Sequence, residues 1–117
     1  TTYISGALKK IRQFARRHGI HVWVVAHPAK LYRERDTGNY PVPTLYDISG
    51  SAHWRNKADN GLCVWRDFAN RDTPVEVHVQ KVRFRQVGKI GMARLRYEPA
   101  TATYRDVSPH EPMRARK

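Results

Sequence analysis

Lys81 and Arg83 stand one strand repeat apart in the run Val75 to Arg85, Val-Glu-Val-His-Val-Gln-Lys-Val-Arg-Phe-Arg. At the two-residue period of a strand, Val75, Val77 and Val79 share one face, and the two cations continue it. Strand rise separates them by roughly 6–7 Å. Two fixed cations at that spacing suit a ligand with several negative oxygens, a phosphate chain above all. A strand that leaves the core at Lys81 and solvates its last residues would show the same pattern. Both readings stay open at this point.

A second group of cations lies upstream. Lys30, Arg33 and Arg35 are interleaved with Tyr32 and Tyr40 in an 18-residue stretch, 29–46, that shows neither helical nor strand period. Connections of this length are usually functional or mobile. Cations alternating with tyrosines can hold a single strand through phosphate contacts and base stacking, although a solvated basic loop would look alike. Arg55 and Lys57 belong to a short polar helix, Ala52 to Asp59, for which Ser49 and Ser51 are candidate N-caps around Gly50. Within it Trp54 and Ala58 lie four apart and face inward. His27 ends an apolar run, at the carboxyl end of a strand, where open α/β sheets bind ligands. A lone histidine there is more often structural.

These residues need a scaffold. Ile4, Leu8, Ile11 and Ala15 recur at spacings of four, three and four, one face of a helix that covers a sheet. Arg16, Arg17 and His18 suit its last turn, and Gly19 its C′ position. Val22 to Pro28 is apolar on both parities, the pattern of a central strand buried on both faces and usually parallel. Helix, glycine turn and buried strand together predict an α/β layer. Asp36-Thr37-Gly38-Asn39 is a turn signal. Leu62 to Trp65 reads as a second buried strand, and Phe68 to Thr73 as a hairpin loop into Val75. Gln86 to Gly91 is a glycine-punctuated turn with no helix behind it, so it is a poor phosphate loop. Then comes an alternating strand with Ala93, Leu95 and Tyr97 inward and Arg94 and Arg96 outward. Tyr104 to Val107 forms a last short strand, and the end of the chain, 107–117, reads as a basic disordered tail.

Lysine and arginine number 22 against 10 acidic residues in 117, a formal net charge of +12. A polyanion, nucleic acid or nucleotide phosphate, is the expected partner. The single cysteine, Cys63, excludes an internal disulfide and sits as a small hydrophobe in an apolar run. The histidines lack the neighbouring ligands of a metal site. No apolar stretch reaches the roughly 20 residues of a membrane span. Neither a membrane partner nor secretion is expected, which suggests a cytoplasmic setting. A start at Thr1, directly inside a helix, suggests a piece of something longer.

Three stretches taken in order carry a family resemblance: His21 to Lys30, Tyr46 to Gly61, and Val79 to Phe84. Together they resemble the end of the motor of RecA-like, DnaB-type replicative helicases, in the phage primase-helicase and Twinkle-like branch. The resemblance spans roughly residues 3–104. It implies that residues 1–106 are the C-terminal portion of a RecA-like motor domain, a partial sheet whose parallel core strands continue into C-terminal antiparallel strands, with flanking helices. It further implies that His27 senses the γ-phosphate, and that Arg83 is an arginine finger reaching a neighbouring subunit's ATP with Lys81 as its companion. Lys30, Arg33, Arg35 and Arg55 would line the channel around single-stranded DNA.

A homo-oligomeric, hexameric ring and a bacterial or phage-infected cell belong to the same expectation. The resemblance is incomplete. No Gly-x-x-x-x-Gly-Lys-Ser/Thr loop and no acidic strand end with a catalytic glutamate occur here, so ATP and magnesium are cofactors of the longer parent, and none is expected on this piece alone. Alone it should not hydrolyse ATP. A non-catalytic basic nucleic-acid-binding module is the alternative.

Overall fold

The computed structural model describes residues 2–49, 52–70 and 72–107. The first helix, α1 (Thr2–His18), forms where the apolar spacing predicts it. Ile4, Leu8, Ile11 and Ala15 are all half-buried, whereas Lys9, Lys10, Arg16 and Arg17 meet water. Gly19 closes the helix at φ +60°. The Ile20 amide donates to the Ala15 carbonyl at 3.0 Å and the Gly19 amide to that of Arg16 at 3.4 Å. This is a Schellman cap, and the left-handed residue it needs is the reason for glycine. The main neighbour of α1 is not the sheet, as expected, but a second helix, α2 (Ala52–Lys57). Just before α2, Leu45–Asp47 make a 3-10 turn. Trp54 and Ala58 are half-buried, in keeping with their inward spacing. Of the candidate caps Ser49 and Ser51, the latter lies outside the described residues, as do Gly50 and the tail from Ser108 onward.

Four strands follow: β1 (Asn60–Trp65), β2 (Val75–Val82), β3 (Gly91–Glu98) and β4 (Thr103–Asp106). They pair in chain order and antiparallel throughout, Val64 opposite Val77, Val77 opposite Ala93, Tyr97 opposite Tyr104. Short turns suffice for such hairpins. In the first turn the buried Asp67 carboxylate accepts from the Ala69 amide at 3.0 Å and the Asn70 amide at 3.2 Å. A bulge between Gly61 and Leu62 shifts β1 against the end of β2. A Cβ on Gly61 would collide with the Leu45 side chain, so glycine lets the 3-10 turn sit against β1.

The expected parallel core strand is absent from the described sheet. Residues 20–27 run without ladder partners, and the antiparallel bridge of Pro28 to Ile48 is their nearest sheet-like contact. Trp23 is 72% and Val25 88% exposed. A strand exists only through its neighbours. The four strands here are joined by local hairpins, and none of them flanks this segment. For the same reason β1 is not buried on both faces: Gly61 and Trp65 turn inward, whereas Leu62 and Val64 are exposed. In β3 the expected facing also fails. Ala93 and Tyr97 are exposed while Arg94 and Arg96 are half-buried, and Arg96 donates to the Asp72 carbonyl at 3.0 Å. Facing each other across the pair, Arg94 and Glu76 share the side on which Trp65 is buried. Among the described residues, Trp65 and Val75 make up the buried apolar core. The remaining apolar groups of α1, the extended segment and β1 surround an open hollow of about 1520 Å³. That is larger than the roughly 300–1,000 Å³ of small-molecule sites.

Candidate nucleic-acid and phosphate interface

The basic stretch 29–46 is closed at both ends by its own backbone. The Ala29 amide donates to the Asp47 carbonyl at 2.5 Å, beside the Pro28–Ile48 bridge. At the tip, Gly38 turns with φ +71°, and the Glu34 amide donates to the Asn39 carbonyl at 2.8 Å. Two side chains of the sheet tie the loop down. Trp65 Nε1 donates to the Tyr40 carbonyl at 3.1 Å, and Gln80 Nε2 to the Pro43 carbonyl at 2.7 Å. The loop then enters the 3-10 turn through a capping box: Thr44 Oγ1 accepts from the Tyr46 amide at 3.3 Å, and the Asp47 carboxylate accepts from the Thr44 amide at 2.7 Å. A loop so fixed holds its cations in defined places.

Lys30 and Arg33 of the loop, and Arg55 of α2, lie over aromatic rings. Lys30 Nζ is 5.7 Å from the centroid of Tyr32, the Arg33 guanidinium carbon 5.3 Å from that of Tyr40, and that of Arg55 5.6 Å from Tyr46. The last pair joins the loop's exit to α2. Lys30, Arg33 and Arg35 are exposed, and Arg55 is half-buried.

Lys81 and Arg83 point along one face of β2 and its exit, as their parity predicts, but their donors are engaged. The Lys81 ammonium donates to the Arg55 carbonyl. The Arg83 guanidinium donates to the carbonyls of Asn56 at 2.6 Å and Ala58 at 3.3 Å. These are orphan carbonyls at the C-terminal end of α2, where the helix dipole favours cations. Asp59 adds a carboxylate 3.4 Å from Arg83 and 3.6 Å from Arg12 of α1, knitting three elements together. Burial, and then the charges of Arg83 and Arg55, push the Lys81 ammonium below its usual value. An oxygen-rich anion at this place would relieve that crowding.

The structure therefore brings Lys81, Arg83 and Arg55 to one helix end, and sets Lys30 and Arg33 on the adjoining loop. His27 is exposed on the extended segment, and its ring makes no hydrogen bond or ion pair among the described residues. Cys63 is a half-buried free thiol, pushed up by burial and then by Asp47. No cluster of three or more metal-ligating side chains occurs among the described residues, and no described helix is long and apolar enough to cross a membrane. Sequence reading missed three features: the tyrosine partners of Lys30, Arg33 and Arg55, the buried Asp67, and the α2 carbonyls as acceptors. Alternation of Lys30 with Tyr32 was the available signal for the first, whereas the carbonyls are visible only in three dimensions.

No family model matches the chain. It is 45% identical, over 119 aligned positions covering 97% of its residues, to the Twinkle homolog protein, chloroplastic/mitochondrial, of Arabidopsis thaliana. It spans 16% of that protein's length. The chain is thus similar to one segment of a Twinkle homolog, in line with the Twinkle-like branch of the resemblance drawn from its own motifs.

Proposed function

We propose that this chain forms the part of a RecA-like, DnaB-type helicase motor that grips single-stranded DNA and contacts nucleotide phosphate. The observation that carries the reading is the meeting of two cation groups at the end of α2. Lys81 bonds the backbone of Arg55, so groups suited to phosphate and a group suited to DNA meet at the end of one short helix. In this reading Lys30, Arg33, Arg35 and Arg55 hold the DNA backbone. Arg83 and Lys81 contact the ATP of a neighbouring subunit in a homo-oligomeric ring, and His27 senses its γ-phosphate. When bound, ATP supplies the phosphoryl group whose charge such cations stabilise.

The residues present fit a phosphate contact but not the cradle or the magnesium site: the sequence has no glycine-lysine loop, and no acidic cluster occurs among the described residues. The exposed segment 20–27 is proposed as a core strand of the larger RecA-like sheet. The plant relative is named for chloroplasts and mitochondria, which favours an organellar setting and gives a phage or bacterial one no support.

The test uses a ring-forming protein that carries this segment. Arg83→Ala should cut ATP turnover by about 10³-fold or more while nucleotide binding survives. Retained turnover would remove the finger assignment. It would favour the second reading, a non-catalytic nucleic-acid-binding module, which the engagement of Lys81 and Arg83 with α2 carbonyls also supports. In the 117-residue chain, single-stranded DNA binding should weaken with salt. Alanine at Lys30, Arg33 and Arg55 should flatten that slope by roughly 0.7 per lost phosphate contact.

A further inference from the structure

Phosphate contact needs only cations, yet each of Lys30, Arg33 and Arg55 lies over a tyrosine ring. The rings differ in access. Tyr32 is 76% and Tyr46 57% exposed, while Tyr40 is 39% exposed and its carbonyl is held by Trp65. A cation occupies one side of a ring and leaves the other side free for a flat partner. The backbone beneath the rings is fixed, by the Ala29–Asp47 hydrogen bond near Tyr32 and by the Thr44 cap that accepts from the Tyr46 amide itself. Two exposed rings on an anchored loop, each with a cation alongside, match what an unpaired nucleotide offers: a π face joined to a phosphate.

We propose that Tyr32 and Tyr46 are stacking platforms for the bases of a single strand, with Lys30 and Arg55 taking the adjoining phosphates. The proposal rests on the reading of this loop as a DNA-binding surface and adds a base-dependent component to it. Its occupant is single-stranded nucleic acid, because paired bases keep their faces inside the duplex stack. Stacking does not release counterions, so this component is insensitive to salt, unlike the phosphate contacts.

The experiment measures binding of the 117-residue chain to a thymidine oligomer and to an abasic oligomer of equal length, over a range of salt. Tyr32→Leu with Tyr46→Leu removes the rings, and the corresponding Phe pair keeps them. The unaltered chain should bind the thymidine strand about fivefold or more tighter than the abasic one. The Leu pair should abolish that preference at an unchanged salt slope, and the Phe pair should restore it. Equal binding of the two oligomers by the unaltered chain would overturn stacking and leave the phosphate reading intact. Equal losses on both oligomers in the Leu pair would likewise overturn it, since the rings would then serve only to place cations. Binding of neither oligomer would overturn both.

Discussion

Two adjoining stretches, the loop 29–46 and the segment 20–27, have opposite fates. The loop is basic, and its backbone groups find partners nearby: Ala29 with Asp47, Glu34 with Asn39, Tyr40 with Trp65. The segment is apolar, and alternate side chains, Trp23 and Val25 most of all, face outward. Polar backbone can be satisfied by a loop closing on itself, but an apolar strand is satisfied only by other strands and the layers above them. The part suited to binding is therefore held by partners already present in the chain, whereas the part suited to a core waits on others.

That contrast can be broken first at Trp65, which supplies both buried apolar area and the tie to Tyr40. Trp65→Ala should cost about 3 kcal/mol or more in urea unfolding and should weaken DNA binding along with it. Unchanged stability would mean that the loop holds without its anchor.

Next in size is self-association. An uncovered apolar segment and the open edge of β1 predict concentration-dependent assembly. Val25→Asp should reduce assembly in light scattering while changing unfolding free energy by less than about 0.5 kcal/mol. A monodisperse chain at all concentrations would end that expectation. Thr44→Ala removes the cap beside Tyr46 and should cost about 1 kcal/mol, with a measurable loss of DNA affinity. If stability falls and affinity does not, the loop's order is not what binding depends on.

The smallest effect is a pH dependence at Lys81. Its folded-state value is depressed by burial relative to 10.5, so the unfolded chain binds more protons between the two values. Stability should therefore rise slightly as pH climbs through that window. The rise should be missing from Lys81→Met when the two are unfolded side by side.

Much of this architecture was legible without coordinates. Helix α1 and its Gly19 cap, the turn at Gly38, the hairpin loop before β2 and the strand β4 all follow from local period and turn chemistry. The shared face of Lys81 and Arg83 follows from strand parity alone. Misplaced were the elements whose character depends on distant neighbours: Val22 to Pro28, the outer face of β1, and the facing of β3. An apolar run announces that it needs burial, but not what will bury it.

The sequence by itself therefore determined the local elements, the parity of β2 and the concentration of cations on the loop and α2, because these depend on residues only a few positions apart. Only the tertiary structure decided that Lys81 and Arg83 clasp the carbonyls of α2, that Lys30, Arg33 and Arg55 lie over tyrosines, and that 20–27 is left outside the sheet. Such contacts join residues 25 or more positions apart, as between Arg83 and Ala58, and depend on how elements pack. No period or motif encodes that packing.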